Sequence, residues 1–206
     1  MLSEYGFRAK NGLPLNNDGY ISLLTDDIMA LVFRYRGPLP ATNDKNKRLI
    51  EKQQIRRQLH VQIARLMNKP PADLYRLSDS YDRKHIGGFI FQPIICNKKR
   101  QVACQLEIRL YSRDPFGAII QNADLDNRIK TLFDALRPPQ NENELPEGEK
   151  PANDSEKFFW VLLEDDSLIT DLIIKSERLL IPPLVGERES DIELEIAADV
   201  KYSSSI

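Results

Sequence analysis

The sequence predicts an α+β fold: a mixed β-sheet with two main helices packed on it. Three observations lead there. Six apolar stretches have strand length, two segments repeat their apolar residues at helical spacing, and there is no internal repeat. A chain of 206 residues, 41% hydrophobic and 29% charged, is long enough to bury a sizeable core and has an ordinary globular composition.

Residues 1–27 carry turn signals, Asn11-Gly12 and Asn16-Asn17-Asp18-Gly19, with little periodicity, and read as an N-terminal extension. Ile28 to Arg36 is a strand, ended by Gly37-Pro38-Leu39-Pro40. Asp44 to Met67 is a helix, because Ile55, Leu59, Ile63, Leu66 and Met67 fall on one stripe. A hairpin is expected next, Ile86 to Cys96 and Val102 to Tyr111 about a turn at Asn97 to Arg100. In its second arm Val102, Cys104, Leu106, Ile108 and Leu110 alternate with Ala103, Gln105, Glu107 and Arg109.

A second helix opens after Asn122-Ala123-Asp124-Leu125-Asp126-Asn127 and runs to about Arg137. Ile129, Leu132, Phe133 and Leu136 line one face, and Pro138-Pro139 stops it. Residues 138–157 are rich in Pro, Asn and Glu and nearly devoid of apolar side chains, so a mobile acidic loop is expected. Phe158 to Leu163, Leu168 to Arg178 and Asp191 to Val200 are strands, and 201–206 is a tail. The expected organisation is a single domain over 28–200 interrupted by that loop.

Several classes of function drop out. No run approaches the length of a membrane span, and the first residues lack the apolar core of a signal peptide, so a cytoplasmic protein with no membrane partner is expected. Cys96 and Cys104 are not placed to face each other across the hairpin and read as reduced thiols. His60 and His85 have no zinc-like spacing with them.

Net charge is −2, yet its distribution is uneven. Residues 138–157 hold six acids and two lysines, a local net of −4, while Arg34 to Lys69 holds ten bases against Asp44 and Glu51, a local net of +8. Lys45, Lys47, Arg48 and Lys52 crowd the first turns of a helix, where the dipole gives cations no help. An anionic partner would account for them; a solvated charged face is the simpler alternative.

The chemistry-bearing feature is Asp124-Leu125-Asp126-Asn127. In an extended segment leading into a helix, residues i and i+2 point the same way, so both carboxylates can face one point. Hard cations such as magnesium take carboxylate oxygens and keep several waters, so two or three acids suffice. Glu164-Asp165-Asp166, at the end of an apolar strand, supplies candidates for a third. Lys130 lies one helical turn after Asp126 and can reach the same side. Carboxylates with one ammonium suit phosphodiester hydrolysis, because a metal activates water while lysine offsets charge on the phosphate. The structural alternatives stay open. An aspartate could simply cap the helix, Lys130 could pair with Asp126 or Asp134, and the acidic trio could be a plain turn.

Asp124-Leu-Asp-Asn-Arg-Ile-Lys130, continuing to Asp134-Ala-Leu136, resembles the D-x-D-N-x-x-K signature of the RusA family of Holliday junction resolvases, which runs into a helix ending D-A-L. Trp160-Val-Leu-Leu-Glu-Asp165-Asp166 resembles that family's apolar strand ending in two aspartates. Pro38-Leu-Pro40-Ala-Thr-Asn43 and Glu193-Leu-Glu-Ile196 are similar to its early proline-rich turn and its last strand. The likeness covers about residues 31 to 200 and is specific only in the acidic blocks. The long 138–157 link, the extra strand around 86–96 and the N-terminal extension depart from the family pattern.

What the resemblance implies is a RusA-like fold and a magnesium-dependent endodeoxyribonuclease, with manganese able to substitute and no small-molecule cofactor. It also implies a homodimer that cuts branched, four-way DNA. Asp124, Asp126 and Asp166 become the implied metal ligands and essential acids, and Lys130 the transition-state cation. Arg34, Arg36, Lys45, Lys47, Arg48, Lys52, Arg56, Arg57 and Arg65 would track DNA phosphates. Two other readings stand beside this one: a junction-binding relative without turnover, and a nuclease of flaps or single strands.

Overall fold

The computed structural model describes residues 29–39, 44–70, 82–96, 102–114 and 124–202, with Leu74 and Ser78; the side chains of Met29, Asp124 and Tyr202 fall outside this set. The N-terminal extension, the Asn97 to Arg100 turn and the end of the tail lie outside the described residues.

The α+β class holds, but the strands form two mixed sheets rather than one. Strands β1 (Met29–Gly37), β4 (Val102–Ser112), β6 (Ile169–Arg178) and β7 (Ile192–Tyr202) make a four-stranded sheet in the order β1-β7-β4-β6. In it β7 is antiparallel to both β1 and β4, and β6 runs parallel to β4. Strands β2 (Lys84–Ile86), β3 (Phe89–Ile95) and β5 (Phe158–Leu163) make the smaller sheet, with β3 antiparallel to β2 and parallel to β5. The expected hairpin is therefore absent. Its first arm pairs with β2 and β5, its second with β6 and β7, and the two belong to different sheets. Cys96 and Cys104 are free and buried, and burial pushes the Cys104 thiol up to about 12.

Helix α1 (Lys45–Met67) begins where Asp44 accepts hydrogen bonds from the N–H groups of Asn46 and Lys47, at 2.9 and 3.2 Å. Its stripe of Ile55, Leu59 and Ile63 is fully buried against one face of the four-stranded sheet, where Leu31, Phe33, Cys104, Leu106, Ile108 and Ile196 point inward. Helix α2 (Asp124–Leu136) adds Leu132 and Leu136 to the same core. A second, aromatic core forms from Phe89, Phe91, Phe159 and Val161 of the small sheet. No helix among the described residues is long and apolar enough to cross a membrane.

The two edges of the larger sheet are finished differently. At β1, Gln62 accepts from the Arg34 N–H (3.0 Å) and donates to its carbonyl (2.7 Å), and Gln58 does the same at Arg36 (3.1 and 2.8 Å). Two side chains of α1 thus occupy the main-chain groups that a further strand would bind. At β6 nothing comparable is seen among the described residues, and Leu172 and Ile173 are 40% and 38% exposed.

Residues 138–157 are largely irregular, as their composition suggests, but they are anchored to the rest of the protein. They contain a 3₁₀ turn at Glu142–Glu144 and a one-turn helix α3 at Asp154–Lys157, and Pro138, Pro139 and Leu145 are buried. Leu145 plugs the aromatic core, close enough to Gly87 that a Cβ there would stand 2.5 Å from its methyl group. One apolar anchor and a set of cationic partners do the work that several apolar residues would otherwise do.

Candidate active site

Helix α2 begins at Asp124, so both motif aspartates lie in its first turn and not in an extended lead-in. Residues i and i+2 of a helix are about 200° apart around the axis, so the shared direction expected of an extended pair is lost. Asp126 and Lys130 are both strongly exposed, at 69% and 71% of the side chain, and the ammonium donates to the carboxylate at 2.7 Å. The i, i+4 pair foreseen as one alternative is therefore present. Its position, on the open side of the first two turns, also leaves both groups accessible to a ligand.

The acidic trio after β5 separates into distinct roles. Asp165 caps a 3₁₀ turn (Asp166–Leu168), accepting from the Ser167 N–H at 3.0 Å, and the hydroxyl and N–H of Ser167 hold its carboxyl below the usual range. Asp165 is thus committed to the turn, whereas Asp166 is exposed. The turn packs against α2, which brings Asp166 to the same side of the molecule as that helix. Among the described residues no group of three His, Cys, Asp or Glu side chains is gathered closely enough to hold a metal, and the Asp124 side chain lies outside that set.

Asp134 stands at the centre of a charge cluster. It pairs with Arg137 at 2.7 Å and with Lys52 of α1 at 3.2 Å, and Arg137 also pairs with Glu144 at 3.1 Å. Arg56 is 1% exposed and donates to the carbonyls of Asp134 (2.7 Å) and Arg137 (3.4 Å). Burial pulls its pKa down to about 10, while Glu144 and Asp134 help to hold the charge. Arg57 is clasped by Glu149 (2.7 Å) and Glu156 (2.9 Å). Arg34 pairs with Glu195, and Arg36 with Glu187 and Glu193.

Of the nine cations assigned to phosphate contact, Arg56 is a core residue, and Lys52, Arg57, Arg34 and Arg36 are engaged within the chain. Among the described residues no ion pair involves Lys45, Lys47, Arg48 or Arg65. The first turn of α1 retains the strongest claim to an anionic partner.

Two polar features have no counterpart in the sequence reading. Glu51 of α1 is 3% exposed, one of its carboxyl oxygens has no hydrogen-bond partner among the described residues, and burial raises its pKa to about 7 against the pull of Lys47, Arg188 and Arg128. Nothing in the sequence marks it, because it reads as one acid in a basic helix. His60 stacks on Phe159 with ring centroids 4.4 Å apart and accepts the Trp160 N–H at Nδ1 (2.9 Å). Burial lowers its pKa, and through that hydrogen bond it serves the fold as an acceptor.

No family model matches this chain, and neither does any curated protein or solved structure.

Proposed function

We propose that the chain is a magnesium-dependent, structure-selective endodeoxyribonuclease that acts as a homodimer on four-way DNA junctions. The observation that carries this reading is an exposed carboxylate and ammonium side by side on the first turns of α2, on a helix that packs against the turn bearing Asp166. The resemblance of these same residues to the RusA signature supplies the reaction class.

The available donors fit the metal in kind. They are carboxylate oxygens open to water, and magnesium commonly binds through one or two carboxylates with water and phosphate oxygens completing its shell. Asp124, Asp126 and Asp166 are the residues that would hold it, and when bound it would lower the pKa of a water and neutralise phosphate charge. Lys130, now on Asp126, would turn to a non-bridging phosphate oxygen as negative charge develops there. Lys45, Lys47 and Arg48 would hold the backbone of one DNA arm, giving affinity that falls steeply with salt. With five of nine cations engaged internally, the phosphate footprint is smaller than the basic composition of α1 implies. That favours testing flaps and single strands beside junctions.

The test is cleavage in magnesium of four-way junctions, flaps, single strands and duplexes. Junctions should be cut, and Asp126→Asn should reduce the rate by about two orders of magnitude or more while binding persists. Full activity in Asp126→Asn would remove this site from consideration. Tight junction binding without any cut would make the chain a binding module, and selective cutting of flaps or single strands would reassign the substrate.

A further inference from the structure

We propose that β6 is a self-association edge. Two copies pair their β6 strands antiparallel about a two-fold axis through Ile173, joining two four-stranded sheets into one. The inference deepens the homodimer of the proposed function by assigning its interface, and it is argued from the sheet edge, so its failure would leave the nuclease chemistry standing.

Three observations carry it. First, among the described residues the sheet closes one edge and leaves the other. Gln58 and Gln62 occupy the β1 edge, while β6 is exposed over most of its ten residues and follows no such arrangement among the described residues. A long edge strand with free main-chain groups is a template for another strand. Second, β6 exposes apolar side chains on both faces, Leu172 on the helix side and Ile173 on the other.

Third, among the registers that pair most of β6, its charges are self-complementary in one only. A two-fold axis perpendicular to the sheet keeps each side chain on its own face, so registers differ by steps that preserve parity. Centred on Ile173, Asp171 faces the partner's Lys175 and Lys175 faces the partner's Asp171. Leu172 then meets Ile174, Thr170 meets Ser176, and the two Ile173 side chains meet on the axis. Centred on Ile174, Asp171 would face Glu177; centred on Leu172, Lys175 would face Ile169. Opposed residues in such ladders stand close enough for ion pairs and apolar contact. Within one chain Lys175 pairs with Glu107 at 2.8 Å and Lys201 approaches Asp171 at 3.8 Å, yet Lys175 and Asp171 stay 47% and 58% exposed. A lysine on an edge strand usually repels a second sheet. Here the palindrome turns it into a selector for its own copy.

Sedimentation equilibrium of the full chain should give twice its 23.7 kDa mass at micromolar concentration. Ile173→Cys should cross-link to itself under mild oxidation, since facing residues in an antiparallel ladder have Cα separations that a disulfide accepts. Thr170→Cys alone should not, and the native thiols, Cys96 and Cys104, are buried. Asp171→Lys should weaken self-association about tenfold or more, and Asp171→Lys with Lys175→Asp should restore it. Circular dichroism would report whether each variant folds, and the Ile173→Cys cross-link tests the register even if a charge variant does not. A monomer at these concentrations, a dimer in which Ile173→Cys fails to cross-link, or a double variant that stays dissociated while folded would each overturn the proposal.

Discussion

Helix α1 contains two kinds of cation. Toward its middle, Lys52, Arg56 and Arg57 are built into the protein. Lys52 and Arg56 meet Asp134 and the end of α2, and Arg57 is held between Glu149 and Glu156. In the first turn, Lys45 and Lys47 are exposed, and no ion pair among the described residues involves them or Arg48. In the sequence all six are alike, one run of positive charge on a helix. What separates them is a segment a hundred residues downstream whose acids fold back onto part of that run. Charge density along a sequence is thus a poor proxy for surface potential wherever an oppositely charged segment has somewhere to dock.

The sharpest break of this contrast is Arg56→Ala. It leaves a void and strips the Asp134 and Arg137 carbonyls of a buried donor, and should destabilise the fold by about 3 kcal/mol, read from the urea midpoint. A loss below about 1 kcal/mol would mean that Arg56 is no more structural than its exposed neighbours.

Glu51→Gln probes the other buried charge on the helix. The folded protein holds the Glu51 proton up to about pH 7, whereas an ordinary glutamate releases it near 4.5, so the native state binds the extra proton between these values. Stability from Glu51 is therefore present below pH 4.5 and lost as pH rises through 7. The amide should leave stability at pH 4 unchanged and raise it at pH 8 by on the order of 2 kcal/mol, seen as a pH-dependent difference in thermal midpoint.

Arg57→Ala should weaken the fold by less than about 1 kcal/mol, because its ion pairs are partly open to water. It should nevertheless speed proteolysis within 138–157 if the acidic segment is held by that clasp. Smallest in stability, and most telling for function, are Lys47→Ala and Arg48→Ala. Each should move the urea midpoint by no more than about 0.5 kcal/mol, while lowering the slope of log affinity for junction DNA against log salt by about 1. An unchanged slope would leave the free turn of α1 without a nucleic-acid role.

Much of the secondary structure was legible because its periodicity is local. The alternation in β4, the stripe of α1 and the apolar run of β5 each declare their type within a few residues. Pairing partners were not legible for the same reason. The polar stretch after Cys96 signals a turn, but no local signal says that the chain leaves one sheet and enters another. The anchoring of residues 138–157 was not legible from composition, because a single leucine and several carboxylates carry no periodicity, and only the folded chain brings Leu145 to an aromatic hole and the acids to Arg57 and Arg137. At the candidate site, the pairing of Asp126 with Lys130 was readable from spacing. The division of labour between Asp165 and Asp166 was not, because it depends on how the chain turns after β5.

The glutamine pair at the β1 edge has a geometric consequence. Successive rungs on a helix, four residues apart, rise about 6.0 Å, while rungs on a strand, two residues apart, rise about 6.6–6.8 Å. Helix and strand are two rulers with slightly different divisions, and they agree over a short span before drifting apart. Two glutamines fall within that span. One rung beyond at one end Leu66, which has no amide, would face Val32, and at the other Gln54 would face Pro38, which has no N–H. The coincidence ties α1 to the strand at two rungs, so sliding the helix along the sheet means releasing four hydrogen bonds together. The first turn of α1 is thereby held at a fixed distance from the β1 edge.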